Sequence, residues 1–233
     1  MSNLCIITAR GGSKRIPRKN IKNFLGKPII AYSIESALGC NLFDEVMVST
    51  DDDEIAAVSR EYGARVPFMR SQKNSDDFST TSDVLLEVIN SYRSRNMEYE
   101  TACCIYPTAP FVTPEKLNEA FAMLKEGEYC SIMPVVKFGF PILRSLKIED
   151  GIIQPNFPED YSKRSQDLPP AYHDAGQFYF LSIRAFLESK TIMMKKTGAI
   201  IVDENSVQDI DTEDDWKLAE LKYKLKHEYN HPV

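Results

Sequence analysis

The feature that most constrains the fold is a regular alternation of short apolar runs with segments of helical periodicity. The apolar runs predict buried strands at 4–9, 45–50, 64–68, 102–106 and 129–136. The segments between them predict helices at 28–39, 51–63, 81–92 and 114–125. This order predicts an α/β fold in which helices cover both faces of a mostly parallel sheet.

The alternation stops between residues 137 and 175, where only short extended stretches remain. Two of them, at 142–148 and 152–153, flank Glu149-Asp150-Gly151, which predicts an antiparallel hairpin with an Asp-Gly turn. A long region without helices usually serves function or assembly, so we predict that 137–175 forms a dimer arm and a substrate rim. Strands at 177–181 and 199–202 and a helix at 213–226 complete a single domain, 1–233.

Composition limits the partners of this chain. It is 43% hydrophobic and 27% charged with a formal net charge of -6, which argues against a surface that coats nucleic acid. No apolar run is long enough for a membrane span, and the opening segment lacks the layout of a signal peptide, so we expect a cytoplasmic protein. The five cysteines show no CxxC spacing and are interpreted as reduced packing residues.

A basic, glycine-containing loop directly follows the first predicted strand. Five of the eleven residues from Arg10 to Asn20 are cationic, and Gly11 and Gly12 allow backbone N–H groups to approach phosphate oxygens. Open α/β sheets bind ligands at this end of their strands, so the loop predicts a polyphosphate site. Neither GxxxxGK[ST] nor GxGxxG occurs. The alternative is a solvated basic turn.

Two carboxylates lie close together near the end of the chain. Asp209 and Asp211 are spaced i and i+2, which in an extended segment places them on one side, roughly 6.5–7 Å apart. Mg²⁺ commonly binds through one or two carboxylates together with substrate phosphates, so the pair is a candidate metal site. The alternative is that these acids only cap the final helix. The acids at 51–54 are interpreted chiefly as a helix cap.

The segment 168–179 combines a proline pair with aromatic, amide and imidazole groups, a mixture suited to a hydroxyl-rich ligand. Its His173 is as well explained by a hydrogen-bonded loop residue as by a ligand contact.

These motifs together resemble one enzyme family. ARGGSKRIPRKN at 9–20, STDD at 49–52, Arg70 before a Ser/Thr-rich stretch, YPTAP at 106–110, LPPAYHDAGQFY at 168–179 and DIDT at 209–212 resemble, in order, the cytidylyltransferases that form CMP-sugars from acidic sugars. The resemblance implies a three-layer, Rossmann-like nucleotide-diphospho-sugar transferase fold and a homodimer. It also implies Mg²⁺ at Asp209 and Asp211, which with Lys14 would be catalytic. The CTP contacts that it implies are Arg10, Gly11, Gly12, Ser13, Lys14, Lys19, Asn20, Arg70, Thr80 and Thr81.

The sugar segment departs from the sialic acid branch of that family. His173 and Ala175 stand where arginine and asparagine are typical, and Tyr106 replaces the usual glutamine. Losing the arginine removes a bidentate carboxylate clamp. HDAGQFY resembles the pseudaminic acid branch instead, which implies that CTP and a nine-carbon acidic sugar are the substrates. The predicted sugar contacts are Tyr106, Lys137, Arg144, Gln166, His173, Gln177 and Tyr179.

Several alternatives stay open from the sequence alone. The same chemistry on sialic acid, legionaminic acid or KDO is the nearest one. A catalytically silent nucleotide sensor and a structural module with a proline-rich interaction arm are the others.

Overall fold

The structure is a computed structural model that describes residues 2–228, and it confirms the predicted α/β architecture. Within those residues the strands are β1 (Asn3–Thr8), β2 (Asn23–Phe24), β3 (Lys27–Pro28), β4 (Glu45–Ser49), β5 (Thr101–Ile105), β6 (Ser131–Lys137), β7 (Leu146–Glu149), β8 (Ile152–Pro155), β9 (Tyr172–Asp174), β10 (Phe178–Ser182) and β11 (Thr197–Ile201). The α-helices are α1 (Ile29–Gly39), α2 (Asp53–Glu61), α3 (Thr81–Arg93), α4 (Pro114–Glu126), α5 (Pro158–Tyr161), α6 (Ile183–Ser189) and α7 (Glu213–Glu228).

A seven-stranded mixed sheet forms the centre, in the order β11-β6-β10-β5-β1-β4, with β9 added along β6. Strand β1 runs parallel to β4 and β5, whereas β10 lies antiparallel between β5 and β6. The start of β10 therefore meets the end of β5, and Tyr106 donates its backbone N–H to the carbonyl of Gln177 at 2.9 Å. Because β10 is antiparallel to β5, the 173–177 segment that precedes it lies near the carboxyl ends of β1 and β5, where the basic loop begins.

Helices cover the sheet on both faces and bury two apolar clusters against it. One cluster packs α1, α2 and α4 against the sheet, and the other packs α3 and α6 against the opposite face. Fully buried β1 residues alternate between the clusters, with Cys5 and Ile7 on one face and Leu4 and Ile6 on the other. The result is the expected three-layer arrangement, in which a strand buried on both faces is apolar throughout.

A third apolar cluster fixes the basic loop to the last helix. Ile16 from the loop packs with Ile210, Trp216 and Phe24, all of them buried. Ile16 belongs to the basic loop, and Ile210 lies between Asp209 and Asp211. Since both isoleucines are buried in one cluster, they bring the loop and the carboxylate pair together although almost two hundred residues separate them in the sequence.

Two local predictions have opposite outcomes. The hairpin is confirmed: β7 pairs antiparallel with β8, and Asp150 and Gly151 both have positive φ, at 51° and 79°. The strand predicted at 64–68 is wrong, because Arg65 forms only an isolated bridge with Met47. Arg65 lies beside the edge strand β4 and exchanges backbone hydrogen bonds with Val46 and Val48, and the next backbone bond along this side joins Arg70 to Thr50.

The cysteines are all free, four of them buried and Cys130 partly so, in agreement with their predicted packing role. Among residues 2–228, no helix combines the length and apolar character that crossing a bilayer would require.

Candidate active site

A cavity of about 450 Å³ opens at the carboxyl end of β1 and β5. It brings together most of the predicted CTP contacts: its lining includes Arg10, Ser13, Lys14, Lys19, Asn20, Arg70, Thr80 and Thr81, and also the predicted sugar contact Tyr106. Gly11 and Gly12 belong to the same loop but do not line it. The cavity thus collects residues from four separate segments of the chain.

The five cations of the loop do not all face the cavity in the same way. Arg10 donates to the Asp77 carboxylate at 2.7 Å, and Lys14 pairs with the other oxygen of that carboxylate. The bond from Lys14, and after it the bond from Arg10, holds the pKa of Asp77 below its usual value. Asp77 therefore sits where a negatively charged ligand would meet Arg10 and Lys14, a feature that the sequence motifs did not point to.

Arg18, unlike the other loop cations, does not line the cavity but binds acidic residues at the start of α2. It forms two bonds with Asp52, at 2.5 and 3.0 Å, and also pairs with Glu54. Asp52 in turn caps α2 by accepting from the N–H groups of Glu54 and Ile55, which confirms the predicted cap. The Arg18 bonds, more than any other influence, lower the pKa of Asp52. Arg18 thus fixes the loop to α2.

The neighbouring acid completes this attachment. Asp51 accepts the backbone N–H of Gly11 at 2.9 Å, and a Cβ built on Gly11 would lie 2.8 Å from Oδ2 of Asp52. Gly11 is therefore required for close approach to α2, and Gly12, which has nothing within 4 Å of its ideal Cβ, is not crowded in this way.

Two buried polar side chains make the floor of the cavity rigid. Asn20 donates to the carbonyl of Arg10 at 2.8 Å, and Arg70 donates to the hydroxyl and the carbonyl oxygens of Ser49 at 3.0 and 2.5 Å. Burial lowers the pKa of Arg70 from its ordinary value. The Asn20 bond closes the loop on itself and the Arg70 bonds hold Arg70 against the end of β4, so a ligand would meet a preformed surface.

The Ser/Thr-rich stretch ends in a capping box. Thr80 and Asp83 satisfy each other's backbone N–H groups at the start of α3, so Thr80 is primarily a helix cap that borders the cavity. Thr81 is the next residue, and its Oγ1 lies 3.1 Å from the hydroxyl of Tyr106.

The carboxylate pair lies beside the loop. Asp211 pairs with Arg15 at 2.8 Å and lies 3.6 Å from Nζ of Lys19, which also donates to the carbonyl of Ile210 at 2.5 Å. Partial burial, and after it the charge of Asp211, raises the pKa of Asp209. The cap of α7 is made by Thr212 and Asp215, whose side chains satisfy each other's N–H groups. Asp209 and Asp211 therefore do not cap α7, which was the alternative explanation of these acids from the sequence.

A second, smaller cavity of about 290 Å³ lies against the 173–176 segment and is also bordered by Asp209 and Gln208. His173 lines it, with its Nδ1 2.9 Å from the carbonyl of Asp174 and its ring against Phe138. Of the predicted sugar contacts, His173 and Tyr106 are the two that border one of these two cavities.

The other predicted sugar contacts lie elsewhere. Gln177 is buried and donates to the carbonyl of Ser206 at 2.7 Å, and Tyr179 is buried with its hydroxyl donating to Asp174 at 2.7 Å. Lys137, Arg144 and Gln166 lie on the 137–175 arm, outside both cavities. Arg144 donates to Ser165, and its Nε is buried without a partner among residues 2–228.

The sheet, the cation-lined cavity and the adjacent carboxylates agree with a nucleotidyltransferase, and similarity to known proteins assigns the chain to that class of enzyme. The chain belongs to the cytidylyltransferase family, whose profile matches residues 4–226. It is 44% identical over 229 residues to a pseudaminic acid cytidylyltransferase of Campylobacter jejuni, covering 98% of this chain and 99% of that protein. It is 30% identical over 230 residues to a CMP-N,N'-diacetyllegionaminic acid synthase of Legionella pneumophila, with coverage of 98% and 99%.

The fold is shared with a solved structure of CMP:2-keto-3-deoxy-manno-octonic acid synthetase complexed with CTP. The TM-score is 0.69 at 15% identity, and the match covers 98% of this chain and all of that one.

Proposed function

We propose that this enzyme transfers CMP from CTP to pseudaminic acid, releasing pyrophosphate. The observation that carries the proposal is the convergence, around one cavity, of four cations of the 10–20 loop (Arg10, Lys14, Arg15 and Lys19) with Arg70 and Thr81, directly beside Asp211. The 44% identity along the whole chain to a protein of that name supports this choice of sugar.

The triphosphate would be held by Arg10, Lys14 and the backbone of the loop. Arg10 and Lys14 are exposed enough to exchange Asp77 for a phosphate, with side-chain exposures of 38% and 79%. A triphosphate carries several negative charges where Asp77 carries one, so its Coulomb attraction for the two cations is larger and the exchange favours the ligand. Lys14 would then stabilise the charge that develops on the departing pyrophosphate.

Asp209 and Asp211 are the residues that would hold Mg²⁺. Their fit rests on the donor chemistry: two carboxylates spaced i and i+2, neither of which caps α7, offer the oxygen ligands that Mg²⁺ takes. Burial and then the charge of Asp211 raise the pKa of Asp209, and a cation would relieve that repulsion. Within residues 2–228 there is no group of three or more His, Cys, Asp or Glu placed to hold a metal, so phosphates and water would complete the coordination. Bound there, Mg²⁺ would neutralise triphosphate charge and make pyrophosphate a better leaving group.

The reaction needs no covalent enzyme intermediate. The anomeric hydroxyl of the sugar attacks the α-phosphorus, a new oxygen–phosphorus bond forms, and the bond between the α-phosphorus and the bridging oxygen breaks. The proton of the attacking hydroxyl passes to water, and pyrophosphate leaves on the opposite side. The chain contributes positioning and charge stabilisation, because the rigid floor made by Asn20 and Arg70 fixes the nucleotide before attack.

The sugar would lie between the two cavities, against Tyr106 and His173. Arg144 is a candidate for the sugar carboxylate because its guanidinium has unused donors, including the buried Nε. Arg144, Lys137 and Gln166 border neither cavity, so their contact with the sugar requires the arm to close over the site or a second copy to bring its own arm.

A homodimer built on the arm agrees with its surface. Ile148 and Ile153 are cross-strand partners on one face of the hairpin, 71% and 62% exposed, and they form an apolar patch of the kind that marks an interface. Ile152, 61% exposed, pairs with Glu149 on the other face.

Purified protein incubated with CTP, Mg²⁺ and separate nonulosonic acids tests the proposal through pyrophosphate release. We expect release with pseudaminic acid, and loss of turnover in Asp211→Asn while weak CTP binding persists. Full activity in Asp211→Asn would remove that residue from the metal site.

The same panel decides the second candidate. The Legionella relative favours a legionaminic acid, which would be indicated by faster release with that sugar than with pseudaminic acid. CTP binding without release from any sugar would indicate a silent nucleotide sensor.

A further inference from the structure

A chain of four side chains links the two cavities. Tyr106 lines the larger cavity, and its hydroxyl lies 3.1 Å from Thr81 Oγ1. Its ring meets the ring of Tyr179 edge-on, with the centroids 5.5 Å apart. Tyr179 in turn donates its hydroxyl to Asp174 at 2.7 Å, and Asp174 lines the smaller cavity. We call this set, Thr81-Tyr106-Tyr179-Asp174, the tyrosine bridge.

The carboxylate of Asp174 is itself held in place. Its other oxygen accepts the backbone N–H of Gly176 at 2.8 Å, and Gly176 has a positive φ of 61°. The carboxylate is thus fixed by a tight local turn at one oxygen and by a tyrosine hydroxyl at the other. Since β9 pairs with β6 through Val135 and Asp174, the backbone of Asp174 is also anchored to the sheet.

Tyr179 is the buried link in the bridge. Only 4% of its surface is exposed, and burial together with its neighbours Tyr106 and Asp174 raises its pKa far above the usual value. The hydroxyl therefore keeps its proton and stays a donor, for which Asp174 is the hydrogen-bond acceptor. Without that acceptor, a buried hydroxyl would be left unsatisfied and the ring would reorient.

We infer that Asp174 is a positioning residue that fixes Tyr179 and, through it, the face that Tyr106 presents to the sugar. This inference rests on the proposed function. Of the predicted CTP contacts, Thr81 belongs to the bridge and is held at the start of α3, whereas the others come from 10–20, Arg70 and Thr80. A disturbed bridge should therefore impair use of the sugar and leave CTP binding nearly unchanged.

Three variants isolate the effect. Asp174→Ala removes both bonds of the carboxylate, whereas Tyr179→Phe removes only the bond within the bridge and leaves the Gly176 turn. Asn23→Ala is the matched control, because Asn23 also accepts a glycine N–H, from Gly26 at 3.0 Å, in a turn remote from both cavities.

We expect Asp174→Ala and Tyr179→Phe each to lower kcat/KM for the sugar roughly tenfold, as loss of one charge-assisted hydrogen bond does. The CTP dissociation constant should stay within about twofold of the parent value. The double variant should lose no more kcat/KM than the more impaired single variant, because both substitutions break the same hydrogen bond between Tyr179 and Asp174. Asn23→Ala should match the parent enzyme. Additive losses in the double variant, or an Asp174→Ala enzyme that only melts earlier, would overturn the inference.

A second measurement does not depend on turnover. In protein labelled at tyrosine rings, the signals that vanish in Tyr106→Phe belong to Tyr106. We expect those signals to shift in Asp174→Ala and in Tyr179→Phe, and not in Asn23→Ala. An unmoved Tyr106 signal refutes the bridge even in an enzyme that uses the sugar well, and a shifted signal supports the bridge even if no sugar is used.

Discussion

Replacing Gly11 with alanine tests how tightly the basic loop is held against α2. The new Cβ would lie 2.8 Å from Oδ2, 3.0 Å from Cβ and 3.3 Å from Cγ of Asp52. Asp52 cannot easily move aside, because it is bonded to Arg18 and caps α2. Overpacking of this kind costs about 1–2 kcal/mol, which lowers the Tm of a chain of this size by roughly 2–8 °C.

Gly12→Ala is the matched control, since its Cβ would meet no atom within 4 Å. Gly12 also lacks a positive φ, so the substitution should leave Tm within about 1–2 °C of the parent. Thermal denaturation of the three proteins, followed by far-UV circular dichroism, measures the difference. Equal Tm values for the two variants would refute the close approach of Gly11 to Asp52.

Three further perturbations follow from the same geometry. Asp77→Asn frees Arg10 and Lys14, so calorimetry should show CTP binding tightened roughly two- to fivefold at low salt, and weaker binding would contradict the exchange of Asp77 for phosphate. The pKa of Asp209 is raised in the folded protein, so its negative charge lowers the stability of the fold at neutral pH. Asp209→Asn should therefore raise Tm by roughly 1–2 °C at neutral pH, and this gain should disappear as the pH falls through the pKa of Asp209. A lower Tm at neutral pH would contradict this. Ile148→Glu with Ile153→Glu changes the paired residues on one face of the hairpin and should make the proposed dimer monomeric in light scattering. Ile201→Glu, which alters a residue of similar exposure outside the arm, should not, and a double variant that stays dimeric would exclude this face of the hairpin as the interface.

Much of the fold was predictable because local signals agreed with the packing. Apolar runs such as that of β1 are buried on both faces, and the Asp150-Gly151 turn has the backbone that its sequence favours. The prediction of a strand at 64–68 was wrong because this short segment at the edge of the sheet has only β4 as a neighbour, and within the segment only Arg65 forms a bridge to β4.

The candidate site was predictable at the level of its motifs but not of its contacts. The loop glycines and cations gave the location of the cavity. Which carboxylate each cation would meet depends on long-range packing, as with Arg15 and Asp211, 196 residues apart. Asp77 and Asp174 lie in segments whose local signal is that of turns, so their links to Lys14 and Tyr179 become visible only in three dimensions.

Pyrophosphate release with equal concentrations of pseudaminic, legionaminic and sialic acids, in the presence of CTP and Mg²⁺, tests the central proposal most directly. We predict release that is fastest with pseudaminic acid and that disappears in Asp211→Asn. Faster release with another sugar would contradict the proposed substrate, and release from none of them would contradict the proposed reaction.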